Sequence, residues 1–191
     1  MGGSGTGPDC LSWAVFLDRD GVLNRNEVRN GKPYAPRNLA AFEFLPGVHE
    51  ALQRLDAAGA LLVIATNQPD VGRGKVHRSV IESMNDRILA ETPIKDIRVC
   101  YHTDRDECDC RKPKPGMLFA AAEEHKIDLS RSYMVGDRWR DVSAGVAAGC
   151  KTIFIDYQYL EAGPDLPDFS VTSLLEASEV ILNDHLQEAS Q

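Results

Sequence analysis

Residues 14–24 read AVFLDRDGVLN, and this stretch decides the fold. Four apolar residues, Ala14 to Leu17, run without a break into Asp18, Asp20 and Gly21. A short apolar run closed by turn residues is the pattern of a buried strand. Four more such runs follow: Leu61 to Ala65, Ile97 to Cys100, Tyr133 to Val135 and Thr152 to Ile155. Helix-length segments separate them, at Val48 to Ala58, His77 to Ala90, Met117 to His125 and Val142 to Ala148. A last helix is expected from Leu174 to Gln187. Gly59 and Gly149 fall where a C-terminal glycine cap belongs.

Alternating strands and helices imply an α/β fold, a Rossmann-like three-layer sandwich around a central parallel sheet. Ligands of such sheets sit at the carboxyl ends of the strands. Asp18 and Asp20 follow the first strand, Thr66 and Asn67 the second, and Asp137 the fourth, so distant segments deliver polar groups to one edge. The stretch from Asn24 to Pro46, with Pro33, Tyr34 and Pro36, reads as a long loop without strand or helix. Loops of that length are often functional. Residues 1–12 are expected to be a flexible tail, and residues 13–191 one domain without a separate cap.

Two carboxylates one residue apart at a strand end project in the same general direction if the chain stays extended. Crowded carboxylates repel and call for a cation or a shared proton. Mg²⁺ suits them, being a hard ion that keeps water and substrate phosphate among its ligands. An Asp-rich turn alone would have no such meaning, because turns favour Asp. The strand before it and the downstream partners change that reading.

DRDGVLN (18–24), together with Thr66-Asn67-Gln68, Arg111-Lys112-Pro113 and Gly136-Asp137 followed by Asp141, resembles the haloacid dehalogenase superfamily of phosphatases. The resemblance runs from about Val15 to Ile155. It implies that Asp18 attacks phosphorus to form an aspartyl-phosphate, and that Asp20 protonates the leaving oxygen and then activates water. It also implies phosphate binding by Thr66 and the backbone of Asn67. Lys112 would neutralise the phosphate and Asp18; Lys114 competes for that role, and Lys112 is preferred because RKPKPGM continues directly from a cysteine motif. The expected magnesium ligands are Asp18, the carbonyl of Asp20 and Asp137. Asp141 either reaches the metal through water or orients Asp137. Arg111 and Arg138 are candidate substrate residues, Arg111 for a second anionic group.

Cys100, His102, Cys108 and Cys110 form the pattern C-x-H-x5-C-x-C. Three thiolates and one imidazole complete a closed tetrahedral Zn²⁺ site, which is structural because no position stays open for water. Such a zinc would staple the loop that carries Arg111 and Lys112. This motif narrows the resemblance to the heptose bisphosphate phosphatases and the related histidinol-phosphatases. A heptose 1,7-bisphosphate is the expected substrate, with histidinol phosphate as the rival. A receiver-type signalling protein also gathers acids and a lysine around Mg²⁺, but has no need of Asp20.

The net charge is -8, from 29 acidic and 21 basic residues. No basic stripe appears, so nucleic acid is not an expected partner. No apolar run approaches the roughly 18 residues of a membrane-spanning helix, and the N-terminus lacks a secretory pattern. The expectations are a cytoplasmic monomer acting on a small phosphorylated molecule, with its cysteines as thiols or metal ligands. Arg73 and Lys75 follow the second strand, where they could face a substrate phosphate, but the open surface is the preferred expectation.

Overall fold

The structure is a computed structural model and describes residues 12–188. The flexible tail expected for residues 1–12 therefore lies outside the described residues, apart from Ser12. That residue is fastened, donating to the Lys126 carbonyl and accepting from the Asp128 N–H.

Six strands form one sheet: β1 (Ala14–Leu17), β4 (Leu61–Asn67), β5 (Asp96–Cys100), β6 (Tyr133–Gly136), β7 (Lys151–Ile155) and β8 (Phe169–Val171). Their order is β5-β4-β1-β6-β7-β8, and every neighbouring pair is parallel. The chain winds outward from β1 in both directions, which makes β1 the switch point where such sheets bind ligands. Asp18 lies immediately beyond it.

Alternation along the strands splits the core into two layers. Val15 and Leu17 of β1, Leu62 and Ile64 of β4, and Tyr133 and Val135 of β6 face one layer. There they meet α1 (Val48–Ala57), α3 (Arg78–Glu91) and α6 (Leu174–Glu188). Ala14 and Phe16, Val63 and Ala65, and Met134 face the other layer, with α4 (Gly116–His125) and α5 (Trp139–Ala148). All four β1 residues are fully buried. This explains the unbroken apolar run, since a strand covered on both faces has no polar side to alternate with.

The structure corrects the reading of Asn24 to Pro46 as featureless. Glu27–Arg29 (β2) and Lys32–Tyr34 (β3) form an antiparallel hairpin, and Leu39–Ala41 is a turn of 3₁₀ helix. Asn30 and Gly31 both have positive φ, 51° and 72°, which is the demand of a tight two-residue hairpin turn. Pro33 is tolerated because the two-stranded ribbon leaves both of its edges outside the main sheet. The short helix α2 (Pro69–Gly72) and the strand β8 are further elements that the sequence pattern does not announce.

Candidate active site

Asp18 leaves β1 with its N–H bonded to the Val135 carbonyl at 2.9 Å, so the loop starts from a fixed point in the sheet. The turn then needs Gly21. Its φ is +89°, and a Cβ there would sit 2.0 Å from Asp137 Oδ2. Asp137 follows β6, and Asp141 lies on the first turn of α5, where its Oδ2 accepts the Arg138 N–H at 3.0 Å. Carboxylate oxygens of Asp18, Asp137 and Asp141 all lie within 4.8 Å of one another. All three residues are buried.

Lys112 enters this cluster fully buried, its Nζ 2.9 Å from Asp18 Oδ1 and 2.5 Å from Asp141 Oδ1. The approach is ionic, and neither the ammonium nor Asp18 Oδ1 has a well-aligned hydrogen-bond partner. Lys114 instead stands exposed and pairs with Asp109 at 2.9 Å. Burial, opposed by Lys112 and reinforced by Asp141 and Asp20, raises the Asp18 pKa to about 6. Burial and then the charges of Asp18 and Asp141 push Asp137 well above the usual carboxylate range. Burial works against the charge of Lys112, yet Asp141 and Asp18 outweigh it and raise its pKa. Three acids against one ammonium leave negative charge uncompensated, and Asp137 Oδ1 is buried without any donor. This is the donor set a hard divalent cation requires. Asp18, Asp137 and Asp141 fit Mg²⁺ in chemistry and in spacing.

Asp20 is held differently. Arg19, fully buried, grips its carboxylate at 3.0 Å, Asn24 donates at 2.9 Å and Gln68 at 2.6 Å. Gln68 also donates to the Thr66 hydroxyl at 3.0 Å, which ties the ends of β1 and β4 together. Asn67 spends its side chain on the backbone of Lys112, donating to its carbonyl at 3.0 Å and accepting from its N–H at 3.1 Å. That leaves only the backbone of Asn67 for a substrate.

Cys100, His102, Cys108 and Cys110 converge as the spacing predicts, with ligand atoms within 4.8 Å of one another. The sulfur–sulfur distances run 3.2, 3.5 and 3.7 Å, and His102 Nδ1 lies 3.3 Å from Cys110 and 3.7 Å from Cys100. A tetrahedron with metal–sulfur bonds near 2.3 Å has edges of about 3.8 Å. The four ligands therefore fit zinc. Burial pushes the Cys100 thiol up to about 12, with the neighbouring Cys110 and Cys108 adding to the shift. From this loop Arg111 reaches back to Asp104 Oδ1 at 2.9 Å and to the His102 carbonyl at 3.3 Å.

A family model described as HAD-hydrolase-like matches residues 109–177. The D-glycero-β-D-manno-heptose-1,7-bisphosphate 7-phosphatase of Escherichia coli K12 is 40% identical over 151 residues, 73% of this chain and 76% of that one. The Helicobacter pylori J99 enzyme of the same name is 36% identical, covering 72% and 79%. The chain belongs to the haloacid dehalogenase-type phosphatases. Two solved structures agree with that family. The D,D-heptose 1,7-bisphosphate phosphatase of B. bronchiseptica, solved with magnesium and phosphate, superposes with a TM-score of 0.74 at 28% identity, over 90% of this chain and 99% of that one. A HAD-like phosphatase from Mesorhizobium loti gives 0.71 at 27%, over 95% and 91%.

In this haloacid dehalogenase-type phosphatase the catalytic edge opens into a cavity of about 380 Å³. Its walls include Asp18, Asp20, Arg111, Lys112 and Arg138, joined by Lys32, Arg37, Arg73, Lys75 and Arg140. The mouth is thus basic on a protein of net charge -8, which focuses anionic substrates. Arg73 and Lys75 are exposed, as expected, and also line this mouth. Arg138 pairs with Glu161 at 2.8 and 2.5 Å, so it reaches the rim already neutralised. Thr66 is buried at the end of β4, its hydroxyl accepting from Gln68.

Sequence reasoning missed Asn26 and Tyr159, which both bond Asp137 Oδ2. Burial and then Asp137 raise the Tyr159 pKa far above its usual value, so its hydroxyl stays a donor. Neither residue carries a motif that singles it out. Among the described residues no helix is long and apolar enough to cross a membrane.

Proposed function

We propose that this phosphatase is magnesium-dependent and removes the 7-phosphate of D-glycero-β-D-manno-heptose 1,7-bisphosphate, the reaction named for its relatives. The observation that carries the reading is the buried meeting of Asp18, Lys112, Asp137 and Asp141 below a basic mouth. Asp18 is the nucleophile, and the bond it forms to phosphorus breaks the bond to the sugar oxygen. Asp20 gives that oxygen a proton and later takes one from water as the aspartyl-phosphate is hydrolysed. Thr66 and the Asn67 N–H hold phosphoryl oxygens, and Lys112 offsets the charge that gathers on them. Asp18, Asp137 and the Asp20 carbonyl would hold Mg²⁺, with Asp141 beside them; the ion supplies charge stabilisation for the transferring phosphoryl group.

The Cys100, His102, Cys108 and Cys110 cluster holds a structural zinc that keeps Arg111 at the mouth. Arg111, with Arg138 at the rim, meets the second phosphate of the substrate. Lys32, Arg37 and Lys75, which have no ion-pair partner among the described residues, add to that anionic capture. The working unit is a monomer in which the hairpin and the zinc loop close the site in place of a cap domain.

The test is a panel of heptose bisphosphate, sugar monophosphates and histidinol phosphate ranked by kcat/KM, with Asp18→Asn as the control. Heptose bisphosphate should rank first, Asp18→Asn should be inactive while folded, and EDTA should stop turnover until Mg²⁺ is restored. Histidinol phosphate ranking first would overturn the substrate. Hydrolysis retained by Asp18→Asn would overturn the mechanism.

A further inference from the structure

Two residues outside the catalytic set close on one oxygen of Asp137. Asn26, one residue before β2, donates from Nδ2 to Asp137 Oδ2 at 2.9 Å and to the Tyr159 oxygen at 3.2 Å. Tyr159, on the segment between β7 and β8, donates its hydroxyl to the same Oδ2 at 3.0 Å. The donor logic fixes the arrangement. An ionised carboxylate only accepts, and the tyrosine oxygen already receives an amide N–H, so its own hydrogen points at Oδ2.

With two donors, Oδ2 has little capacity left for a metal. Oδ1 of the same carboxylate is buried and has no partner. The Gly21 backbone packs close beside this oxygen: a Cβ there would lie 2.0 Å from Oδ2 and 2.6 Å from Asn26 Nδ2. Three chain segments thus crowd one oxygen, while the other stays buried without a partner.

We propose that Asn26 and Tyr159 are positioning residues that pin Asp137 through Oδ2 and so present Oδ1 to the catalytic magnesium ion. The inference rests on the magnesium-dependent reading above. A carboxylate held in one orientation loses little freedom when it ligates, so the pair raises the affinity for Mg²⁺ without touching substrate. Outer partners of metal ligands commonly change metal affinity or activity by roughly 10- to 100-fold.

The experiment is calorimetric titration of Mg²⁺ into metal-free wild type, Tyr159→Phe, Asn26→Ser, Asp137→Asn and the Asp137→Asn/Tyr159→Phe double variant. Circular dichroism checks folding, and either single variant serves if the other does not fold. Tyr159→Phe should weaken Mg²⁺ binding by about tenfold, with kcat at saturating Mg²⁺ unchanged. On the Asp137→Asn background the same substitution should leave the residual affinity where it was, because its route to the metal is gone. Wild-type affinity in both single variants would overturn the proposal, as would an equal loss on the Asp137→Asn background. Wild type that takes up no Mg²⁺ would remove the magnesium reading itself, a different outcome from variants that bind as well as wild type.

Discussion

Lys112→Met removes the one cation that, among the described residues, is buried with Asp18, Asp137 and Asp141. At an effective dielectric of about 20, charges 2.9 and 2.5 Å apart attract by roughly 6 kcal/mol each. The desolvation of a buried ammonium takes back much of this, and losing one partner of a buried pair costs about 3–5 kcal/mol net. Where ionised, Asp18, Asp137 and Asp141, with oxygens within 4.8 Å, then repel by about 3.5 kcal/mol or more per pair at the same dielectric. Without metal at neutral pH the variant should lose about 3–5 kcal/mol. For a domain of this size that lowers Tm by roughly 6–20 °C. If the transition state loses about 4 kcal/mol of the same stabilisation, kcat/KM falls about 1,000-fold.

The pH dependence has a definite sign. Asp18 has a folded pKa of about 6, above its ordinary 3.8, so its contribution to stability is complete below about pH 4 and is lost as pH rises through 6. Removing Lys112 raises that pKa further, so the variant's deficit should be large at pH 7.5 and small at pH 5. Added Mg²⁺ should recover more stability in the variant than in wild type. Urea unfolding at the two pH values, with EDTA or with Mg²⁺, reads all of this. An equal deficit at both pH values would refute the electrostatic account, as would a kcat/KM within tenfold of wild type.

Gly21→Ala forces a Cβ onto Asp137 Oδ2 at a φ of +89°; beyond the roughly 1–2 kcal/mol of left-handed strain, it should lower Mg²⁺ affinity, measured by the Mg²⁺ concentration that half-restores activity. The purified protein should contain about one zinc per chain by metal analysis. Stripping it, or Cys108→Ser, should hurt hydrolysis of a bisphosphate more than that of a small aryl phosphate, because Arg111 hangs from the zinc loop. Arg111→Lys should raise KM for a bisphosphate and leave the monophosphate nearly unchanged, since a lysine cannot reproduce the planar fork.

The clustered acids Asp18 and Asp137 were legible because each follows a buried strand, and buried strands announce themselves by composition. The Cys100, His102, Cys108 and Cys110 cluster was legible because three thiols and an imidazole seldom crowd into eleven positions without a shared purpose. Lys112 was separable from Lys114 only through the family resemblance; in the fold it is Lys112 that is buried, and burial of a lysine has no local sequence mark. The hairpin was missed because its strands are three residues each and mostly exposed, so neither offers a periodic signal, although Asn30-Gly31 was a readable turn. Asn26 and Tyr159 were not legible at all. Their contact spans 133 positions, and a polar bond at that separation leaves no pattern along the chain.

The hairpin tip touches the segment after β7 in a way that leaves no slack. The Leu160 N–H donates to the Gly31 carbonyl at 2.8 Å, and Leu160 fills the space that a side chain at Gly31 would need. The hairpin that borders the mouth and the segment after β7 are therefore a matched pair. Transplanting either one from a relative without its counterpart should yield an ill-fitting chimera, and a lineage that alters its substrate must revise both pieces of chain in step.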